Sequence, residues 1–214
     1  MSISIVLVRC HAEGELAPPD LERSMTRELV YTGFITVDGI VDSPGGATEG
    51  HPHGGWVMHT PFDADAYSLK GDELADTTAL LFGRRSYQAF APVWRDSEDH
   101  AAYRDVPKYV VSTTLAEDDL VDGWGETRIL RSTDEVATLR AEEGGGIFIH
   151  GSTELATRLA EADLIDRYNL LVFPVFLGSG KTIFPAGPRG QQLSLRESAA
   201  YANGVVKAIY DVVR

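Results

Sequence analysis

Cysteine is nearly absent from this 214-residue chain: Cys10 is the single one. One thiol excludes an intramolecular disulfide and a cysteine-based structural zinc site, and it points to a reducing, cytoplasmic setting. Positive charge is also scarce. Lys and Arg number 19 against 32 Asp and Glu, a formal net charge of −13. Phosphate backbones repel such a chain, so no nucleic-acid partner is expected. No apolar run approaches the roughly 20 residues of a membrane-spanning helix, and the short run at 3–8 lacks the flanks of a signal peptide. Two motifs are missing as well. There is no G-x-G-x-x-G after the first strand, which argues against the common Rossmann dinucleotide fold. There is no G-x-S-x-G, which leaves serine-hydrolase chemistry without support.

What is present suits a single globular domain. Hydrophobic residues make up 43%, enough to build a core and to exclude wholesale disorder. Residues 1–26 stand apart, with Gly14, Pro18 and Pro19 among charges and no sustained period. They are expected to be an N-terminal extension, or the product of a start placed ahead of Met25. The alternative is an edge strand at 3–8. The folded domain is expected over 27–214.

Along that domain, strand signals alternate with helix signals. Apolar runs at 29–36, 78–82, 109–112, 127–130, 146–150, 167–173 and 205–213 read as strands, several of them continuous as in buried parallel sheets. Helical character is expected over 61–75, from Ser86 onward, from a capping box at Ser132-Thr-Asp-Glu135 to about Glu143, and after Gly151. Strands separated by helices of this length imply a parallel or mixed sheet with helices on both faces.

Three segments share one design: a buried strand ending in small polar residues that open a turn or helix. They are Phe82-Gly83-Arg84-Arg85-Ser86, Val111-Ser112-Thr113-Thr114 and His150-Gly151-Ser152-Thr153-Glu154. Ligands of open α/β sheets bind outside the carboxyl ends of the strands. Helix N-termini there offer free amides to phosphate. Gly151 would let the backbone approach a pyrophosphate, and Arg84 and Arg85 suit a terminal phosphomonoester such as the 2′-phosphate of NADP. The alternative for each segment is an ordinary strand-to-helix turn.

Other features have plainer readings. Gly178-Ser-Gly-Lys-Thr182 imitates the end of a P-loop, but position 175 is Val where that motif needs Gly. His51, His53 and His59 lie in a Gly/Pro-rich loop without matching carboxylates, so no metal is expected. Asp63 and Asp65 favour a helix N-terminus, with proton relay as the competing role for Asp63. Asp38-Gly39 is a turn, or a turn whose carboxylate meets a ligand.

Taken together, Thr36-Val37-Asp38-Gly39, Phe82-Gly83-Arg84-Arg85-Ser86-Tyr87, Lys108-Tyr109-Val110-Val111-Ser112, Ile149-His150-Gly151-Ser152, and Leu164-Ile165-Asp166-Arg167-Tyr168 running on to Phe173-Pro174-Val175-Phe176-Leu177-Gly178-Ser179-Gly180-Lys181 resemble the dihydrofolate reductase superfamily. The closer resemblance is to the branch holding the C-terminal reductase domain of the bifunctional riboflavin-biosynthesis deaminase-reductase, in a stand-alone form. It covers about residues 27–213. It implies a three-layer α/β/α sandwich around a mostly parallel mixed sheet, with an antiparallel C-terminal edge. It implies NADPH as hydride donor, a small heterocycle of ribosylaminopyrimidine or pteridine type as substrate, and a homodimer. By position, Gly83, Arg84, Arg85 and Ser86 would meet the pyrophosphate and 2′-phosphate. Ser112 and Thr113 would lie near the adenosine ribose, and Gly151, Ser152, Thr153 and Glu154 would cradle the pyrophosphate. Thr36 and Asp38 would lie at the nicotinamide end, with Asp38 and Asp63 the candidate catalytic carboxylates. The chain departs from the pattern in three ways. The zinc-binding H-x-E and P-C-x-x-C pattern of the deaminase domain is nowhere in it, Asp166-Arg167 replaces Asp-Glu, and the carboxylate of true dihydrofolate reductases has no secure counterpart. A nucleotide-binding protein of the same fold without catalysis is the alternative.

Overall fold

A computed structural model describes residues 26–46, 50–184 and 190–214. The expected N-terminal extension and the edge-strand alternative at 3–8 fall outside them. Eight strands form one sheet: β1 Leu29–Thr36, β2 Thr77–Gly83, β3 Lys108–Val111, β4 Thr127–Leu130, β5 Gly146–His150, β6 Arg167–Phe173, β7 Leu193–Ala200 and β8 Val206–Val212. Their order is β4-β3-β2-β5-β1-β6-β8-β7. The first six run parallel, and β8 pairs antiparallel with both β6 and β7. Among the described residues the four α-helices are α1 Ala64–Asp76, α2 Arg84–Trp94, α3 Thr133–Arg140 and α4 Thr153–Glu161. The α/β/α sandwich with an antiparallel C-terminal edge is therefore the observed fold.

Alternation along β1 shows how the layers form. Leu29, Tyr31 and Ile35 face one way, packing with Val136 and Leu139 of α3 and Leu155 and Leu159 of α4. Val30 faces the other way, with Tyr87 and Ala91 of α2. Farther along that second face, Leu171 and Phe173 of β6 meet Ala66 and Leu69 of α1. The second face thus carries two apolar clusters rather than one, and polar residues lie between them.

Local chemistry sets the helix limits. Asp63 caps α1, its Oδ1 accepting from the amides of Asp65 (3.0 Å) and Ala66 (3.2 Å), so the helix starts later than the expected 61. Ser132 Oγ accepts from Glu135 N at 3.3 Å, while Glu135 Oε2 accepts from Arg131 N rather than from the Ser132 amide of a full capping box. The helix ends at Arg140, short of the expected 143. β7 has no counterpart among the expected strands. Most of its residues are exposed, so it has no apolar period, and ladder bonds to β8 hold it.

One buried cation has a consequence for stability. The Lys108 side chain lies inside the second face, its Nζ 4.6 Å from the Trp124 ring centroid and donating to Arg104 O at 2.6 Å. Burial pushes its pKa down to about 8. The folded protein therefore binds this proton more weakly than the unfolded chain. The resulting penalty, up to roughly 3 kcal/mol, is fully present below the folded pKa and disappears as pH rises toward the unfolded value. Urea midpoints are expected to rise between about pH 8 and pH 10. The same series on Lys108→Met should lack that rise, and an unchanged rise would contradict this assignment.

Candidate functional site

The carboxyl ends of β2 and β5 are tied directly together. Gly83 N donates to Ser152 Oγ at 2.9 Å, and Ser152 N donates to Ser86 Oγ at 2.8 Å. Ser152 Oγ also donates to His150 O at 3.2 Å. Gly151 and Ser152 both adopt left-handed backbone, with φ of 60° and 53°. A Cβ on Gly151 would come within 3.2 Å of the Phe90 ring and of Ser86 Oγ. The glycine therefore lets the β5 turn pack closely against Phe90 and Ser86 of α2 in a left-handed conformation.

Both helices that begin here lack a side-chain cap. α2 starts after Gly83 and α4 after Ser152, neither with a capping hydrogen bond, whereas α1 and α3 are capped by Asp63 and Ser132. Two sets of first-turn amides are left for an anion. Arg84 and Arg85 are exposed at the start of α2, the positive end of a helix dipole, where cations are unfavourable unless an anion joins them. Glu154 lies 3.6 Å from Arg85 with both side chains largely exposed, a pairing of little energetic weight. Thr153 is the first residue of α4.

On the β3 side, Ser112 is buried and Thr113 exposed. Ser112 Oγ accepts from Thr114 N (3.2 Å) and Leu115 N (2.9 Å). Arg131, just past β4, donates to the carbonyls of Ser112 and Leu115, each at 2.8 Å. This third arginine at the rim escaped the sequence reading, although it follows a strand as Arg84 does.

Asp38 and Asp63 both serve the backbone. Thr36 Oγ1 donates to Asp38 and accepts from Ile40 N at 2.9 Å. Asp38 Oδ2 accepts from Gly178 N at 2.7 Å, which joins the turn after β1 to the loop after β6. Desolvation raises the Asp38 pKa, but the hydrogen bonds from Thr36, Gly178 and Leu177 outweigh it and hold the group below the ordinary carboxylate range. An ionised Asp38 is an acceptor, not an acid. Asp63 caps α1 and is not brought to the β2–β5 turns. The P-loop-like segment forms a loop rather than a helix start. It packs against the β1 turn, with Val41 N donating to Lys181 O and His51 Nε2 2.9 Å from Ser179 O. Among the described residues no three His, Cys, Asp or Glu cluster as metal ligands, and no helix is long and apolar enough to cross a membrane.

A buried carboxylate that the sequence reading did not single out is Glu73 of α1. Its Oε1 accepts from Thr32 Oγ1 at 2.6 Å and Asn169 Nδ2 at 2.8 Å, and its Oε2 is 3.2 Å from Lys70 Nζ. Lys70 also donates to Thr32. Burial lowers the Lys70 pKa, and Glu73 partly restores it. Thr32 pairs in register with Asn169 on β6 and with His150 on β5, and His150 immediately precedes Gly151. This polar row fills the gap between the two apolar clusters. Burial, followed by the charges of Lys70 and His100, pushes His150 down to about 3, so its ring is neutral at physiological pH. A shallow hollow lined by Glu28, Asp76, Arg167 and Arg196 holds none of these residues and lies at the other end of the strands.

The sequence profile of the RibD C-terminal domain matches residues 27–207. The chain belongs to the RibD C-terminal domain family. Its relatives include YyaP of Bacillus subtilis, an uncharacterised protein 25% identical over 191 residues, covering 86% of this chain and 94% of YyaP. A Shewanella sp. PV-4 protein described as a putative riboflavin biosynthesis protein superposes with a TM-score of 0.65 at 18% identity, covering 87% of this chain and 99% of that one. A pyrimidine reductase-like protein from Corynebacterium diphtheriae gives 0.56 at 13% identity, covering 88% and 92%. At these identities the structural likeness shows the fold. Membership of the RibD C-terminal family supports a reductase of riboflavin-pathway type, in a family that typically works with a nicotinamide cofactor. The residues fit such a group. The two uncapped helix starts suit its pyrophosphate.

Proposed function

We propose that this RibD-family protein is an NADPH-dependent reductase acting on a small heterocycle of ribosylaminopyrimidine or pteridine type. The observation that carries the reading is the pair of uncapped helix starts, tied by Ser86 and Ser152, with Arg84 and Arg85 beside them. When bound, the reduced nicotinamide supplies the hydride. The chain supplies binding and orientation. First-turn amides of α2 and α4 would hold the pyrophosphate, and Arg84 and Arg85 would pair with a 2′-phosphate. Ser112 and Thr113 would border the adenosine ribose. The Thr36–Asp38 turn, fixed by Gly178, would border the nicotinamide. Fixing donors before the ligand arrives is the main catalytic service a protein gives a cofactor of this kind.

The commitment of Asp38 and Asp63 to backbone amides favours one competing reading, a nucleotide-binding protein without turnover. NADPH oxidation should be followed on adding ribosylaminopyrimidines and dihydropterins in turn. Turnover with any of them supports the reductase and excludes the competitor. NADPH binding without turnover across both series supports the competitor and excludes the reductase.

The expected partner is a second copy of the chain. β7 leaves the edge of the sheet open, with Leu195 55% exposed on it, and an open edge invites pairing. A monomer mass by light scattering would refute the dimer.

A further inference from the structure

The row formed by Thr32, Lys70, Glu73 and Asn169 has no part in holding phosphate, and its cost needs an explanation. A buried ion pair is rarely a net gain over apolar packing of the same volume. Here the pair stands between two apolar clusters of one sheet face. Among the described residues, Asn169 Oδ1 has no hydrogen-bond partner on a side chain only 5% exposed, and His150 Nε2 has none either. Unpaired buried polar atoms point to a site that is completed by something else.

Within the row only the Lys70 side chain reaches the surface, at 25% exposure against 2% for Glu73. Its Nζ lies 5.5 Å from the Phe34 ring centroid. Phe34 meets Tyr67 edge-on at 5.7 Å, and Tyr67 lies 5.0 Å from Phe62, which is 76% exposed. The result is an aromatic shelf with an ammonium at its inner end. The register Thr32 to His150 to Gly151 puts that end one strand from the pyrophosphate turn.

We propose that Lys70 is a substrate-binding residue, its ammonium held by Glu73 and Thr32 and donating to a carbonyl oxygen of a flat heterocycle that lies on the Phe34–Tyr67–Phe62 shelf. Glu73 and Asn169 act through Lys70 as positioning residues: Asn169 orients the Glu73 carboxylate, and Glu73 aims the ammonium. The chemistry selects a pyrimidinedione-like edge, rich in carbonyl acceptors, over an amino-substituted ring without them. This inference rests on the reductase reading of the cleft and names the group that recognises its substrate.

The test compares the full-length parent with Lys70→Met and Lys70→Arg. An aminouracil riboside, a diaminopyridine riboside lacking the carbonyls, and NADPH are titrated separately by calorimetry, with thermal melts as a check on folding. Loss of a charge-assisted hydrogen bond predicts that Lys70→Met binds the aminouracil riboside about tenfold or more weakly. Lys70→Arg should stay within about threefold of the parent, and all three proteins should bind NADPH and the diaminopyridine riboside alike. A purely structural lysine would weaken all three ligands together or lower the melting temperature alone. Either pattern overturns the proposal, as does a parent that binds NADPH but not the aminouracil riboside. Failure of the parent to bind NADPH would instead remove the reductase reading beneath it.

Discussion

Replacing Gly151 by valine is expected to weaken NADPH binding by about two orders of magnitude, roughly 3 kcal/mol. Two effects act together. The backbone at φ 60° is costly for a β-branched residue. A Cβ there also stands 3.2 Å from the Phe90 ring and Ser86 Oγ. It can be accommodated only by moving the hydroxyl that accepts from Ser152 N. The strain alone is available elsewhere for comparison: Gly123 has φ 74° and open space around its Cβ position. Gly123→Ala should lose a little stability and keep its NADPH affinity. Calorimetric titration of both variants separates the two effects. Equal affinity of Gly151→Val and the parent would show that the β2–β5 turns do not hold the cofactor.

The largest loss of stability is expected from Asp166→Ala, about 3–5 kcal/mol. Asp166 is buried and accepts from Leu29 N at 2.8 Å, from Arg140 Nε and Nη2 at 3.0 and 2.6 Å, and from Arg214 Nη1 at 2.7 Å. Removing the carboxylate leaves the Arg140 guanidinium and the first amide of the central strand without this acceptor, while Arg214 keeps only Asp163 and Ile165. Desolvation alone would raise the Asp166 pKa, but Arg140, Leu29 N and Arg214 outweigh it and leave it lowered. A depressed folded pKa gives stability that is present above the unfolded value of 3.8 and is lost as pH falls through the folded one. Urea melts at neutral pH measure the loss directly. A change below about 1 kcal/mol would mean that Asp166 does not hold the β1, α3 and C-terminal segments together.

The same residue shows what was readable in the chain. The block from Leu164 to Lys181 suggested a family by its pattern. The structure supplies the physical reason for one part of it: an aspartate placed just before β6 can reach the first amide of β1 in the neighbouring parallel strand. The continuous apolar strands were legible because both their faces are covered. The three strand-end turns were legible because small polar residues after such a run have few other uses. Their mutual stitching, Gly83 to Ser152 to Ser86, was not, since it joins residues 66 and 69 positions apart. β7 carries no period because none of the described residues covers it. Lys70 and Glu73 carry no signal in the sequence beyond an ordinary i, i+3 spacing on a helix. Only the register of β1, β5 and β6 shows that they face a polar row in the sheet. Asp63 attracted a catalytic reading because carboxylates at a helix start and in an active site look alike in sequence, and here its oxygen is spent on α1.

The central claim is tested most directly by titrating the purified protein with NADPH and with NADH. The account predicts that NADPH binds about tenfold or more tightly than NADH, and that Arg84→Ala or Arg85→Ala erases most of the difference without abolishing NADH binding. No binding of either nucleotide, or equal binding unaffected by the arginines, would contradict it.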